Sequence, residues 1–334
     1  MGLYLFSPLT PVTDRIEVSH RAGWALYWAE EIGAKLITTS HMDRVTDIVK
    51  PGDAVYVYHG MEFKDALNFP GGPQPELYER VRKFQAVGEL VGGNLFSVDC
   101  AMPHYDELLG ARLLAPKFDQ LGLYRSIAKS LGQSWPTTKP KNLVVGDSHA
   151  LSLYTKGSRI FRNDGLTLHR ALNIGLSSLV NLAWCPTIQN ITFYFGNIDI
   201  RHHVLRHDQN SGRELLKEYR AQLKDLVKEY RKQRIIVAEP LPIENESRKL
   251  PKTGWYKGEP FFGSWADRSN LRDWWAGELD KWAMDGISVY RHPRHFWNGK
   301  GELDFDVMEK PQSVHIRPSQ YTHIWKGGSW SSSI

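Results

Sequence analysis

Asn142-Leu143-Val144-Val145-Gly146-Asp147-Ser148-His149 is the stretch whose reading decides the fold. An apolar, β-branched run predicts a short buried strand, and Gly-Asp-Ser closes it with a tight turn. A serine hydroxyl is a weak nucleophile until a base takes its proton, and an open α/β fold presents it best on the turn between a strand and a helix. Gly146 permits the bend, and a helix beginning near His149 is expected to aim its N-terminal amides at a forming oxyanion. Read alone, Ser148 would only cap that helix, and Asp147 would fix the turn by accepting backbone amides.

Downstream the pattern repeats. Ile191–Phe195 reads as a buried strand ending in Gly196-Asn197-Ile198-Asp199-Ile200-Arg201-His202-His203. A helix with Ser211 and Glu214 as its capping box follows, burying Leu216, Tyr219, Leu223, Val227 and Tyr230. Ile235–Ala238 is the next strand, closing at Glu239-Pro240; a helix from about Ser269 to Met284 leads to a last strand at Ile287–Tyr290. Strands alternating with helices predict a mostly parallel sheet with right-handed crossovers, so Ser148, Asp199 and Glu239 would emerge together at its carboxyl edge.

Upstream, residues 1–135 read as a smaller α/β domain, with strands at Leu3–Phe6, Lys35–Thr39, Ala54–Tyr58 and Asn94–Val98. Trp24, Tyr27, Trp28 and Ile32 mark a helix that Gly33 stops. Gly71-Gly72-Pro73-Gln74-Pro75 reads as a turn before a helix near Glu76 and Leu77; its two prolines lack the amide hydrogens that a phosphate cradle needs. Pro136 and Pro140 mark a linker over 136–141, leaving 142–334 as the second domain.

Composition bounds the rest. With 334 residues, 41% of them hydrophobic and 12% aromatic, the chain can build a core and falls outside the disordered class. A net charge of +5 makes the surface mildly basic, yet no Lys/Arg block or zinc-finger spacing supports a nucleic-acid partner. Cys100 and Cys185 are the only cysteines, which argues against a disulfide framework and a thiolate metal site. The Met1–Pro8 stretch lacks the pattern of a signal peptide and no run approaches 18 apolar residues, so the expectation is a cytoplasmic protein outside the membrane. His149, His202, His203 and His207 have no metal-ligand spacing, and no cofactor motif is present. Eight of the twelve tryptophans follow residue 250, and one of the adjacent pair Trp274 and Trp275 should face outward.

Taken in order, strand-Gly-Asp-Ser-His, strand-Gly-Asn-Ile-Asp-Ile-Arg-His-His and Pro311-Gln312-Ser313-Val314-His315 resemble the blocks of the SGNH (GDSL-like) hydrolases. More narrowly they are similar to the subgroup whose third block reads Gly-Glu-Ile-Asp with a following Arg and His. Glu239-Pro240-Leu241-Pro242, Phe262-Gly263-Ser264, Arg268 and Gly301-Glu302-Leu303-Asp304 keep that subgroup's order, so the resemblance spans about residues 140–323. It implies a three-layer α/β/α domain of flavodoxin-like winding. It also implies Ser148 as nucleophile and oxyanion amide and His315 as general base, with His323 a rival lacking the Ser-Val-His context. Gly146, Asp147, Gly196, Asn197 and Asp199 would line the site, and Arg201, His203 and Arg268 would hold an oxygen or acidic group of the substrate. Two positions depart from the pattern. Gln312 stands where the family carries the Asp that orients the base, which implies a dyad, a replacement such as Asp304 or Asp306, or a weakened enzyme. Ile198 stands where an Asn would donate to the oxyanion, with Asn197 one step earlier.

Three functions fit these residues: an esterase or deacylase acting on an O-acylated carbohydrate or small molecule; an acyl or glycosyl-type transferase on a polysaccharide or nucleic acid; and a degenerate, non-catalytic binding or structural module.

Overall fold

A computed structural model describes residues 2–7, 29, 33–38, 44–58, 86–92, 94–98, 112–113, 140–155, 158–162, 166–180, 182, 187–207, 210–246, 258–259, 261–309, 313–317 and 320. The helix expected around Trp24–Ile32, the 69–77 turn and helix, Gln312, His323 and most of the 136–141 linker lie outside those residues. The chain divides into two compact units, one of residues 1–138 with 326–334 and the other of residues 139–325.

Among the described residues, the first unit carries five parallel strands: β1 (Leu3–Ser7), β2 (Lys35–Thr38), β3 (Ala54–Tyr58), β4 (Leu95–Val98) and β5 (Arg112–Leu113), in the order β2-β1-β3-β4-β5. Four match the sequence expectation to within a residue; β5, at two residues, is too short to leave a pattern. A short helix, α1 (Val45–Ile48), lies between β2 and β3. Leu5, Ile37, Val55, Tyr56 and Leu95 make its core. Asp53 is buried beneath it and accepts the backbone amides of Gly2 and Lys50.

The second unit repeats the winding. Its strands are β6 (Asn142–Gly146), β7 (Ser158–Arg162), β8 (Asn190–Tyr194), β9 (Arg234–Ala238) and β10 (Ile287–Tyr290), all parallel in the order β10-β9-β8-β6-β7. Counted within the unit, that is 2-1-3-4-5, the flavodoxin-like order. Its helices are α2 (Leu168–Ile174), α3 (Ser211–Glu229) and α4 (Trp265–Asp280). Because connections from β6 run both ways across the sheet, right-handed crossovers place helices on both faces. Leu143, Val144 and Val145 on β6, Ile191 and Phe193 on β8, and Ile235 and Val237 on β9 are buried at its centre.

Two helix starts differ from the sequence reading. Ser211 and Glu214 form no capping box: Asn210 stands at the N-cap and makes no side-chain capping bond, and the Ser211 hydroxyl donates to the Val204 carbonyl. The real box is at α4, where the Ser264 hydroxyl accepts the Asp267 amide and the Asp267 carboxylate accepts the Ser264 amide, so the helix begins four residues before the expected Ser269. Buried Leu216, Tyr219, Leu223 and Leu226 give α3 its apolar stripe at three- and four-residue spacing. Among the described residues, no helix is long and apolar enough to cross a membrane.

Candidate active site

The site is built at the gap between β6 and β8, where the winding changes direction and both chains leave the sheet. Gly146 is required there because a side chain would collide with the Tyr194 carbonyl oxygen on β8. Past it the chain turns, with the Ala150 amide donating to the Asp147 carbonyl at 3.1 Å. The backbone then makes one 3₁₀ turn, Ala150–Leu153, in place of the helix that the sequence suggested. An oxyanion there meets single amides and not the end of a helix dipole.

Within this turn Asp147 is fully buried, and its Oδ1 accepts both the His149 amide at 2.8 Å and His149 Nδ1 at 2.9 Å. Ser148, between them, is only half-buried. His315 arrives from 167 residues further along the chain, and its Nε2 lies 3.0 Å from Ser148 Oγ. A small antiparallel pairing carries it back: Met308 opposes Ile316, the Glu309 amide donates to the His315 carbonyl, and the Arg317 amide donates to the Val307 carbonyl.

A carboxylate faces the far side of that imidazole. It belongs to Glu309, whose Oε1 lies 3.8 Å from His315 Nδ1. The Ser313 hydroxyl ties the two together, donating to Glu309 at 2.8 Å and accepting the His315 amide at 3.1 Å. Asp304 and Asp306, named from sequence as replacement acids, are engaged otherwise: Asp304 Oδ1 accepts the Asp306 amide at 2.7 Å, and Asp306 is exposed. Glu309 escaped the sequence reading because it sits six residues before the histidine, outside the expected spacing. His149 escaped it too; its ring stacks on His315 with centroids 4.7 Å apart.

The loop after β8 contributes mainly rigidity. Gly196 has φ +98°, and a Cβ on it would stand 3.1 Å from the Trp275 indole. Asn197 turns inward, its Oδ1 accepting the Leu241 amide at 2.8 Å. Ile198, where the family's donor would stand, has no polar atom to offer. The buried Asp199 carboxylate accepts the amides of Leu168 and His169 and so holds the first turn of α2; burial pushes its pKa up to about 6.

Arg201, read from sequence as a substrate contact, is instead locked in the interior. It donates to Glu244 at 2.8 Å, to the Pro242 carbonyl at 2.8 Å and to the Asn197 carbonyl at 3.2 Å. Residues 199–203 form a helical turn and not a strand continuation, which changes where His202 and His203 point. His203 is half-buried, and burial followed by His207, Arg206 and His169 lowers its pKa. Arg268 is buried as well, donating to the Gly263 carbonyl at 2.7 Å and to Glu246.

Glu239, at the end of β9, is likewise engaged internally, paired with Arg272 and Arg291 and accepting the His292 amide. Burial pushes the pKa of His292 down to about 3, so its ring is neutral; it bonds the Glu239 carbonyl and the Tyr194 hydroxyl. Of the adjacent tryptophans, Trp275 is buried and Trp274 half-buried, lining the cleft between α3 and α4 with Arg213 and Leu216. Among the described residues, no cluster of three metal-ligating side chains exists.

The second unit is therefore a doubly wound α/β domain with a hydroxyl–imidazole–carboxylate row at its switch point. No protein-family model and no curated protein sequence matches the chain. Solved structures similar to it include one from Streptococcus pneumonia assigned provisionally as a platelet activating factor, at 16% identity and TM-score 0.42, covering 57% of this chain and 82% of that one. A GDSL-like lipase from Bacteroides thetaiotaomicron is similar at 14% identity and TM-score 0.40, covering 59% and 90%. A catalytic mutant of an acetylxylan esterase from Geobacillus stearothermophilus is similar at 17% and 0.28, covering 46% and 75%.

Proposed function

We propose that this chain is an SGNH-type serine esterase or deacylase, with Ser148 as nucleophile and His315 as general base. One observation carries the reading: Ser148 Oγ and His315 Nε2, far apart in sequence, lie within hydrogen-bond reach at the carboxyl edge of a parallel sheet. In the reaction, Ser148 Oγ attacks the acyl carbon while its proton passes to His315 Nε2. The tetrahedral oxyanion is met by the backbone amides of Ser148 and Gly196, and His315 returns the proton to the departing alcohol. Water then attacks the acyl-enzyme with His315 again as base, releasing the acid and restoring Ser148. Glu309, 3.8 Å from His315 Nδ1, takes the orienting role for which the sequence offers no Asp three residues before the histidine.

The acyl group is read as an ester on a carbohydrate or small molecule, as the resemblance of the sequence blocks to the SGNH hydrolases implies. A fluorophosphonate probe should label the wild type and fail to label Ser148→Ala. Acetate release from acetylated oligosaccharides, measured with the same pair, tests the substrate class. A folded wild type that resists the probe would overturn the reading.

A further inference from the structure

His149 is the side chain at this site that the reaction above leaves without a task. Its ring is 4% exposed and lies between two others: His315 stacks on it, 27° from parallel, and Tyr194 meets it edge-on at 6.3 Å. Its Nδ1 lies 2.9 Å from Asp147 Oδ1, an acceptor, so that nitrogen carries the proton. Among the described residues His149 Nε2 and Asp147 Oδ2 are both buried without a hydrogen-bond partner. The Nε2 edge of the ring therefore meets no polar partner, and what the ring presents to His315 is its face.

We propose that Asp147 and His149 form a buried acid–imidazole pair that positions His315 through its ring face and supports the charge His315 gains when it takes the Ser148 proton. The proposal rests on reading His315 as the base. The geometry supplies both parts of the role. A flat, immobile ring fixes the plane of the His315 imidazole, which a carboxylate at 3.8 Å does only loosely. A π-face against a cation is attractive, and the buried carboxylate behind it adds a negative charge. Among the described residues, the groups facing His315 include Glu309 and Ser313 from its own segment and Ser148 and His149 from the turn after β6, with Asp147 bonded to the far edge of His149. His149 and Asp147 are positioning residues: neither touches the reacting atoms.

Asp147→Asn isolates the charge. Both hydrogen bonds fall on Oδ1 and Oδ2 accepts none, so an amide fits with its oxygen toward His149 and its nitrogen in the Oδ2 place. Histidine ring resonances followed by NMR against pH report His315 directly, with no substrate. A carboxylate favours the protonated base, so Asp147→Asn should move the His315 midpoint down by about half a pH unit or more. An unchanged midpoint in the folded variant overturns the proposal.

The wild type supplies a second measurement that needs no variant. Its ¹⁵N shifts should show the His149 proton on Nδ1, as the bond to Asp147 requires. A His149 that carries its proton on Nε2 also overturns the proposal. Failure of the hydrolase reading would appear separately, as a Ser148 that no phosphonate labels while both NMR results stand.

Discussion

Replacing Arg201 by Met separates an internal strut from a substrate contact. The side chain is 2% exposed, and its four hydrogen bonds go to Glu244 and to the main chain and side chain of neighbouring turns. Methionine fills much of the same volume but withdraws the cation from Glu244, itself 2% exposed. Stranding one charge of a buried pair costs about 3–5 kcal/mol. Against a typical domain stability of about 5–15 kcal/mol this is a large share. With a urea dependence of about 2 kcal/mol per molar, the unfolding midpoint should fall by about 2 M. Tryptophan emission reports it, since Trp275 and Trp282 are buried in the same unit. Adding Glu244→Leu removes the stranded charge, so the double variant should recover much of the loss. A single variant within about 1 kcal/mol of wild type that binds substrate poorly would refute the structural assignment and restore the role expected from sequence.

The site and its surroundings lead to two further outcomes. Glu309→Gln should lower kcat with little change in KM, because a carboxylate facing the imidazole helps most when the ring is charged; an unchanged kcat would leave Ser148 and His315 as a dyad. His292, held near pKa 3, stays neutral in the folded chain while its unfolded counterpart charges below about pH 6.5. Stability from this group is therefore present above that pH and lost as pH falls toward 3, by up to about 1.4 kcal/mol for each pH unit of the interval. Asp199, raised to about 6, works in the opposite sense: it favours folding below the unfolded pKa and loses that contribution as pH rises through 6. Denaturation curves of His292→Gln between pH 3 and 7 should show a flatter acid limb than wild type, and parallel limbs would count against the assignment.

The sheet was legible because its inner strands are nearly pure apolar runs ending in glycine or proline, as at β6 and β9. β7 was missed: Ser-Arg-Ile-Phe-Arg at the sheet edge hides a buried Arg159, and a charged residue inside a strand erases the period-two signal. The α4 start was readable from Ser264-Trp265-Ala266-Asp267, whereas Ser211 and Glu214 imitate the same motif without its bonds. At the site, sequence order pointed to Ser148 and His315, and the structure brings them within 3.0 Å. It did not reveal which polar residues face inward. Arg201, Asp199 and Glu239 look like ligand contacts in one dimension, and only the packing of the neighbouring turns shows them engaged with Glu244, α2 and two arginines. Glu309 and His149 are the converse, ordinary in the chain and conspicuous in space.

The single 3₁₀ turn behind Ser148 bears on how such a site would empty. A long helix aimed at a nucleophile is also an anion trap, and it holds a freed carboxylate as readily as it steadies an oxyanion. With one short turn there, an acid released at Ser148 under the proposed reaction would meet few converging amides. Under that reaction, weak product inhibition by acetate and similar acids, and turnover that continues as they accumulate, would be the kinetic signature of so brief a stretch of backbone.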